Sequence, residues 1–205
     1  MTVVTSSARS TAPVEAVFRQ RLLDGMAAAI RGHGYRESTI ADIVRLARTS
    51  RRTFYEHFES KEACYVALLR ESNAEMIREI TDAVDPHASW QTQVRQAIEA
   101  WLGAACSEPE ITLSWIREIP SLGEEARKLQ RDFLEAFLVM IQTLTDTAEL
   151  RAAGVLPPSR QLAILLLGGL RELIATTAED GADITSITDV ALEATYALLG
   201  PRNRG

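Results

Sequence analysis

Hydrophobic residues make up 46% and charged residues 24% of the 205 residues, a balance that suits a folded, soluble chain with a sizeable core and shows no compositional sign of disorder beyond the N-terminus. The two cysteines, Cys64 and Cys106, stand at no metal-ligand spacing; disulfide staples are not required, and both thiols are expected to pack within helices in a reducing compartment. The net charge of −6 hides an asymmetry, since residues 1–62 hold 10 Lys+Arg against 7 Asp+Glu, net +3, and residues 63–205 hold 12 against 21, net −9. A basic end on an acidic body is the footprint of a phosphate-binding module.

In chain order, residues 1–12 carry Ser, Thr, Val and Ala without a basic and then an apolar region, so they read as a mobile arm without a secretory signal, and the chain is expected in the cytoplasm. Helical periodicity follows and nothing alternates with the period of a strand, so the fold class is all-α. A first helix spans about 13–31, with Pro13 in its first turn and Val14, Val17, Phe18, Leu22, Met26 and Ile30 on one face, until Gly32-His33-Gly34 stops it. Thr39, Ser50 and Ser60 then stand one residue ahead of three further helices as caps. The last of these runs from Lys61 to about Val84, ended by Asp85-Pro86. Beyond it helices are expected at about 88–106, 109–118, 121–152, 159–178 and 186–199, with Gly154 to Pro158 as the last strong break.

The stretch from Thr39 to Glu62 is the informative one. Ile40, Ile43, Val44 and Leu46 anchor its first short helix and Phe54 and Phe58 its second, while Ala41 and Ala47 let the two approach. The other face of the second helix offers Arg51, Arg52, Thr53, Tyr55 and His57, chiefly at its start, the end that enters a major groove. From about Phe18 to Leu69 the chain resembles the DNA-binding region of TetR-family repressors, most specifically in Thr53-Phe54-Tyr55-Glu56-His57-Phe58. The resemblance implies an N-terminal three-helix helix-turn-helix domain (13–60) and a C-terminal helical ligand-binding and dimerisation domain (61–205). It further implies that Thr39, Ser50, Tyr55, His57 and Lys61 contact phosphates and that Arg51, Arg52 and Thr53 face bases, with Arg48 and Thr49 in the turn beside them. Arg48 stands where the family often has glycine; if that position needs positive φ, arginine costs roughly 1 kcal/mol. Taken singly, Arg51 and Arg52 also fit a solvated helix face, His57 a surface histidine, and Tyr55 a packed ring with a wet hydroxyl.

The C-terminal helices resemble the family in layout only. The helix at 160–177 is apolar on nearly every side and must be covered from both. Its nine-residue apolar run, Leu162–Leu170, is about half of what a bilayer span needs, so no membrane partner is expected. With Gly168 and Gly169 permitting close approach, a two-fold homodimer through Leu162, Leu165, Leu166, Gly169, Leu173, Val190 and Tyr196 is expected, with burial inside one chain as the alternative. Trp90, Trp101, Trp115, Phe133, Phe137 and Met140, with Arg117 and Glu118 as nearby polar groups, are the candidates to line a pocket for a small, largely apolar or aromatic effector; they also suit ordinary core.

The expected function is a ligand-responsive regulator, a repressor on a palindromic duplex operator whose half-sites lie about 34 Å apart. An enzyme is the first rival, but no Glu-x-x-His pair occurs, His33, His57 and His87 are scattered, and neither a phosphate-cradling loop nor a nucleophile elbow appears, so no metal or cofactor is expected. The second rival is a helical module whose basic head binds an acidic protein.

Overall fold

The computed structural model describes residues 12–201, in which every regular element is a helix. The chain divides into two compact units, Met1–Leu68 and Leu69–Gly205, the division falling within the fourth helix. The arm expected over residues 1–12 lies outside the described residues apart from Ala12, and the side chain of Val14 is likewise outside them.

In the first unit α1 (Ala12–Glu37) buries Leu22, Leu23, Met26, Ala29 and Ile30, while Val17, expected on the same face, is 57% exposed. The break expected at Gly32-His33-Gly34 is a kink: His33 leaves helical dihedrals and Gly34 takes φ +80, after which one more turn carries the chain to Glu37. Two seven-residue helices follow, α2 (Ile40–Leu46) and α3 (Arg51–His57). They are held by Ile43 and Val44 from one and Phe54 from the other; Leu46, expected to anchor α2, is partly exposed. α4 (Lys61–Ala83) starts on the Ser60 hydroxyl, which accepts from the Ala63 N–H at 3.0 Å. Its first turns bring Tyr65 onto Tyr35, rings stacked 4.0 Å apart, and bury Cys64, whose thiol desolvation pushes up to about 12.

The second unit holds α5 (Trp90–Ser107), α6 (Pro109–Glu118), α7 (Glu124–Thr145), α8 (Ala148–Ala152), α9 (Arg160–Glu179) and α10 (Thr188–Leu199), with 3-10 turns at Ile119–Ser121 and Ile184–Ile187. The single helix expected over 121–152 is two: Thr147 caps α8 by accepting from the Leu150 N–H, and that cap interrupts the run after Asp146. α9 packs against α6, α7 and α10, and α5 against α10.

One further expectation needs correction. Cys106 is exposed rather than packed, its thiol 3.9 Å from Asp183 Oδ1. α9 buries Ala163, Leu166, Leu167, Leu170 and Ile174 and, within one chain, leaves Ile164, Leu165, Gly168 and Gly169 open, because its neighbours in the unit reach one face only. Among the described residues it is the one helix long and apolar enough to cross a membrane by length and composition, with 33% of that window buried.

Candidate functional site

The two short helices are set by caps. Thr39 and Asp42 form a reciprocal capping box, the Asp42 N–H donating to Thr39 Oγ1 and the Thr39 N–H to Asp42 Oδ2, both at 3.2 Å. Hydrogen bonds from Thr39 and Arg45 hold the Asp42 carboxyl below the usual aspartate range. α2 ends in a Schellman turn: the Thr49 N–H reaches Val44 O at 2.9 Å and the Arg48 N–H reaches Arg45 O at 3.2 Å. That turn places Arg48 at φ +50, so the arginine does occupy a left-handed position that glycine would fill without strain. Ser50 then opens α3, accepting from the Thr53 N–H at 3.1 Å.

These caps orient α3 with Phe54 buried and Arg51, Arg52 and Tyr55 exposed, Thr53 and His57 half-buried. Tyr55 sets its ring edge-on to Phe54, 5.5 Å between centroids, and leaves 59% of its surface open. Arg52 pairs along the helix with Glu56 at 3.1 Å, an exposed contact that a phosphate could displace. Lys61 is arranged differently. Its ammonium lies 3.0, 3.3 and 2.9 Å from the carbonyls of Tyr35, Arg36 and Ser38, and over the Tyr35 ring at 4.3 Å. All three of its hydrogens have acceptors inside the protein, which makes it a tie between the end of α1 and the start of α4.

Reading from the residues did not identify Gly25. A Cβ there would stand 2.6 Å from Ile43 O and 3.0 Å from the Ala47 Cβ, so glycine is what lets α1 and α2 cross. The only signal available was an isolated glycine inside a helical pattern.

The second unit holds an apolar cavity of about 90 Å³, walled by side chains of α4, α5, α7, α8, α9 and α10. Of the aromatic and sulfur residues expected there, Trp101, Phe137 and Met140 lie on the wall; Trp90, Trp115 and Phe133 do not. Trp90 packs edge-on against Tyr196, whose hydroxyl donates to Gln91 O at 3.0 Å, and Trp115 packs against Phe133. Arg117 is away from the cavity, held by Glu172 and Glu179 of α9 at 2.6 to 3.0 Å. Those carboxylates keep the guanidinium charged and are themselves pulled below the usual range by it. Gln93, Thr145 and Thr195 are the polar side chains on the wall, and residue patterning had not singled them out.

Comparison with known proteins bears on both units. Residues 22–68 match the family model of bacterial regulatory proteins, tetR family. Over those residues the helix-turn-helix unit is similar to that family. The likeness of the head is therefore one of sequence, and it is to a family of bacterial regulatory proteins. A Bacillus subtilis protein described as the uncharacterized HTH-type transcriptional regulator YxbF is 32% identical over 75 residues, which cover 37% of this chain and 20% of that relative's length.

Solved structures share the all-α fold over nearly the whole chain. The FadR regulator of Bacillus subtilis in complex with stearoyl-CoA superposes with a TM-score of 0.74 at 17% identity, covering 90% of this chain and 99% of its own. The reduced form of NemR from E. coli gives 0.72 at 16% identity, covering 91% and 99%, and a TetR-family regulator from Agrobacterium tumefaciens gives 0.69 at 19%, covering 87% and 97%.

Of the residues expected to pair two chains, Leu165 (62% exposed), Gly169 and Val190 are exposed and Leu162 and Leu173 half-buried. Leu166 is buried on the cavity wall, and the half-buried Tyr196 is engaged with α5 inside its own unit.

Proposed function

We propose that the chain is a ligand-responsive repressor that binds a palindromic operator as a homodimer and is released by a small, largely apolar or aromatic effector. The observation that carries the DNA-reading part is α3, a capped helix pinned by Phe54 with Arg51, Arg52 and Tyr55 presented outward and Thr53 and His57 beside them. Arg51, Arg52 and Thr53 are assigned to bases, and Thr39, Arg48, Thr49, Ser50, Tyr55 and His57 to the phosphates flanking them.

The homodimer reading rests on the open side of α9. A Cβ on Gly168 or Gly169 would meet nothing within 4 Å in the chain, so two adjacent helix-interior glycines have no packing reason within one copy, and a partner's helix supplies one. Residues 61–205 are assigned to effector sensing and dimerisation, with Trp101, Phe137 and Met140 as effector contacts. The similarity to a regulator solved with stearoyl-CoA supports an apolar effector in this part of the fold. α4 is one continuous helix that starts in the head and lines the cavity with Ile80, so an effector favouring one placement of α4 would change the separation of two heads. Equal head spacing in free and effector-bound crystals would refute that step. A soluble, cytoplasmic dimer in which α9 is covered by its partner completes the reading.

The test is selection from pooled random duplexes at physiological salt, with sequencing of the retained fraction, beside an Arg51→Ala, Arg52→Ala, Tyr55→Ala variant. A palindrome recovered by the natural chain and lost in the variant supports the reading. Retention without sequence preference, falling steeply with salt, would leave only a basic surface.

A further inference from the structure

The wall of the cavity carries no Lys, Arg, His, Asp or Glu, and three of its side chains are amide or hydroxyl groups: Gln93, Thr145 and Thr195. The polar hydrogens of these three are already engaged with backbone. Gln93 Nε2 donates to Pro86 O at 3.2 Å and Ala88 O at 2.9 Å. Because both partners are acceptors, the amide cannot be turned round, and its oxygen is fixed as the unengaged end. Thr145 Oγ1 donates to Ile141 O at 2.7 Å and also approaches Gln142 O at 3.3 Å, and Thr195 Oγ1 donates to Ala191 O at 2.7 Å.

What the three groups retain is acceptor capacity. Gln93 is only 4% exposed and its Oε1 is buried without a hydrogen-bond partner, an arrangement that native interiors rarely leave uncompensated. Trp101 is the other lining residue whose side chain carries an N–H. With no charge on the wall to pair, a carboxylate or an ammonium would lose its hydration without a counter-charge to offset the loss.

Resting on the reading of this cavity as the effector site, we propose that it takes an uncharged compound with a small apolar or aromatic body and a hydrogen-bond donor at one end, a hydroxyl or N–H, which Gln93 Oε1 accepts. The donor selects and the apolar wall holds. A ligand of equal shape that can only accept a hydrogen bond leaves Gln93 Oε1 unpaired and binds more weakly.

The experiment titrates the full chain with indole and with benzofuran, near-identical in shape but differing in the N–H, and with benzoate at pH 7, using calorimetry and ligand-observed NMR. Indole is expected to bind about tenfold more tightly than benzofuran, benzoate not to compete, and Gln93→Met to bring indole and benzofuran level. Equal binding of the pair by the natural chain overturns donor selection while leaving an effector cavity. Binding of neither overturns the cavity reading as well, and operator binding by the same sample separates that failure from a failure of the DNA reader. Gln93 also ties the Pro86 and Ala88 carbonyls, so if Gln93→Met does not fold, the ratio measured on the natural chain decides alone.

Discussion

The guanidinium of Arg21 in α1 donates to the carbonyl oxygen of Arg48 at 2.6 Å, clasping the turn between α2 and α3 from 27 residues away. Arg48 is the one non-glycine residue with positive φ among those described, so this bond holds a strained peptide at the point that sets the angle of α3. Arg48→Gly should therefore raise the stability of the natural chain by about 0.5–1 kcal/mol, the relief of left-handed strain being offset in part by glycine's greater unfolded entropy. Arg21→Ala should lower it. Denaturant midpoints of both variants check this, and a loss of stability in Arg48→Gly would sink it.

Gly25 and Gly32 lie in the same helix and should respond oppositely to alanine. At Gly25 the new methyl would meet the Ile43 carbonyl and Ala47, costing about 1–3 kcal/mol by overpacking. At Gly32 the methyl meets nothing within 4 Å, and alanine should stabilise by up to about 1 kcal/mol through helix propensity. Thermal melts of the two variants side by side give the answer, and equal shifts would show that the α1–α2 crossing is not as tight as described.

Asp42 sets an acid limit on the head. Its pKa is depressed in the folded chain, by Thr39 first and then Arg45, so its cap contributes stability that is fully present above the ordinary aspartate value. That contribution is lost as pH falls through the lower, folded value. Unfolding followed between about pH 6 and pH 2 should show the natural chain's advantage over Asp42→Asn shrinking only below about pH 4. An advantage that stayed constant to the lowest pH would mean that the charge of Asp42 plays no part.

Arg117 joins α6 to α9 through two carboxylates, Glu172 and Glu179. All three side chains are partly open to water, so screening should matter. Arg117→Met should lower the thermal midpoint at low salt, and the difference from the natural chain should narrow as ionic strength rises. If the difference is unchanged in concentrated salt, packing of the arginine stem rather than charge is what α9 uses.

Leu165 tests the dimer. It is 62% exposed within one chain, so Leu165→Arg should leave the fold intact by circular dichroism yet shift the chain to a monomer in sedimentation. A variant that remained dimeric would move the interface away from α9.

The three capped helix starts, the break at Gly32-His33-Gly34, the turn at Arg48 and the polar face of α3 were all legible along the chain. Capping, chain-breaking and 3.6-residue amphipathicity act over a few neighbouring residues, so residue order alone determines them. The split of 121–152 at Thr147 was missed because the threonine acts as a cap only once the chain has turned after Asp146.

Packing decided the rest, because it depends on which distant side chains meet. Only the folded chain sets the Lys61 ammonium among the carbonyls of Tyr35, Arg36 and Ser38 and packs Trp115 on Phe133. In one dimension Gly25 is only an isolated glycine in a helical pattern, and Gln93 carries no distinguishing mark. What gives them meaning is the Ile43 carbonyl against one and the Pro86 and Ala88 carbonyls holding the other, and only tertiary structure brings those groups together.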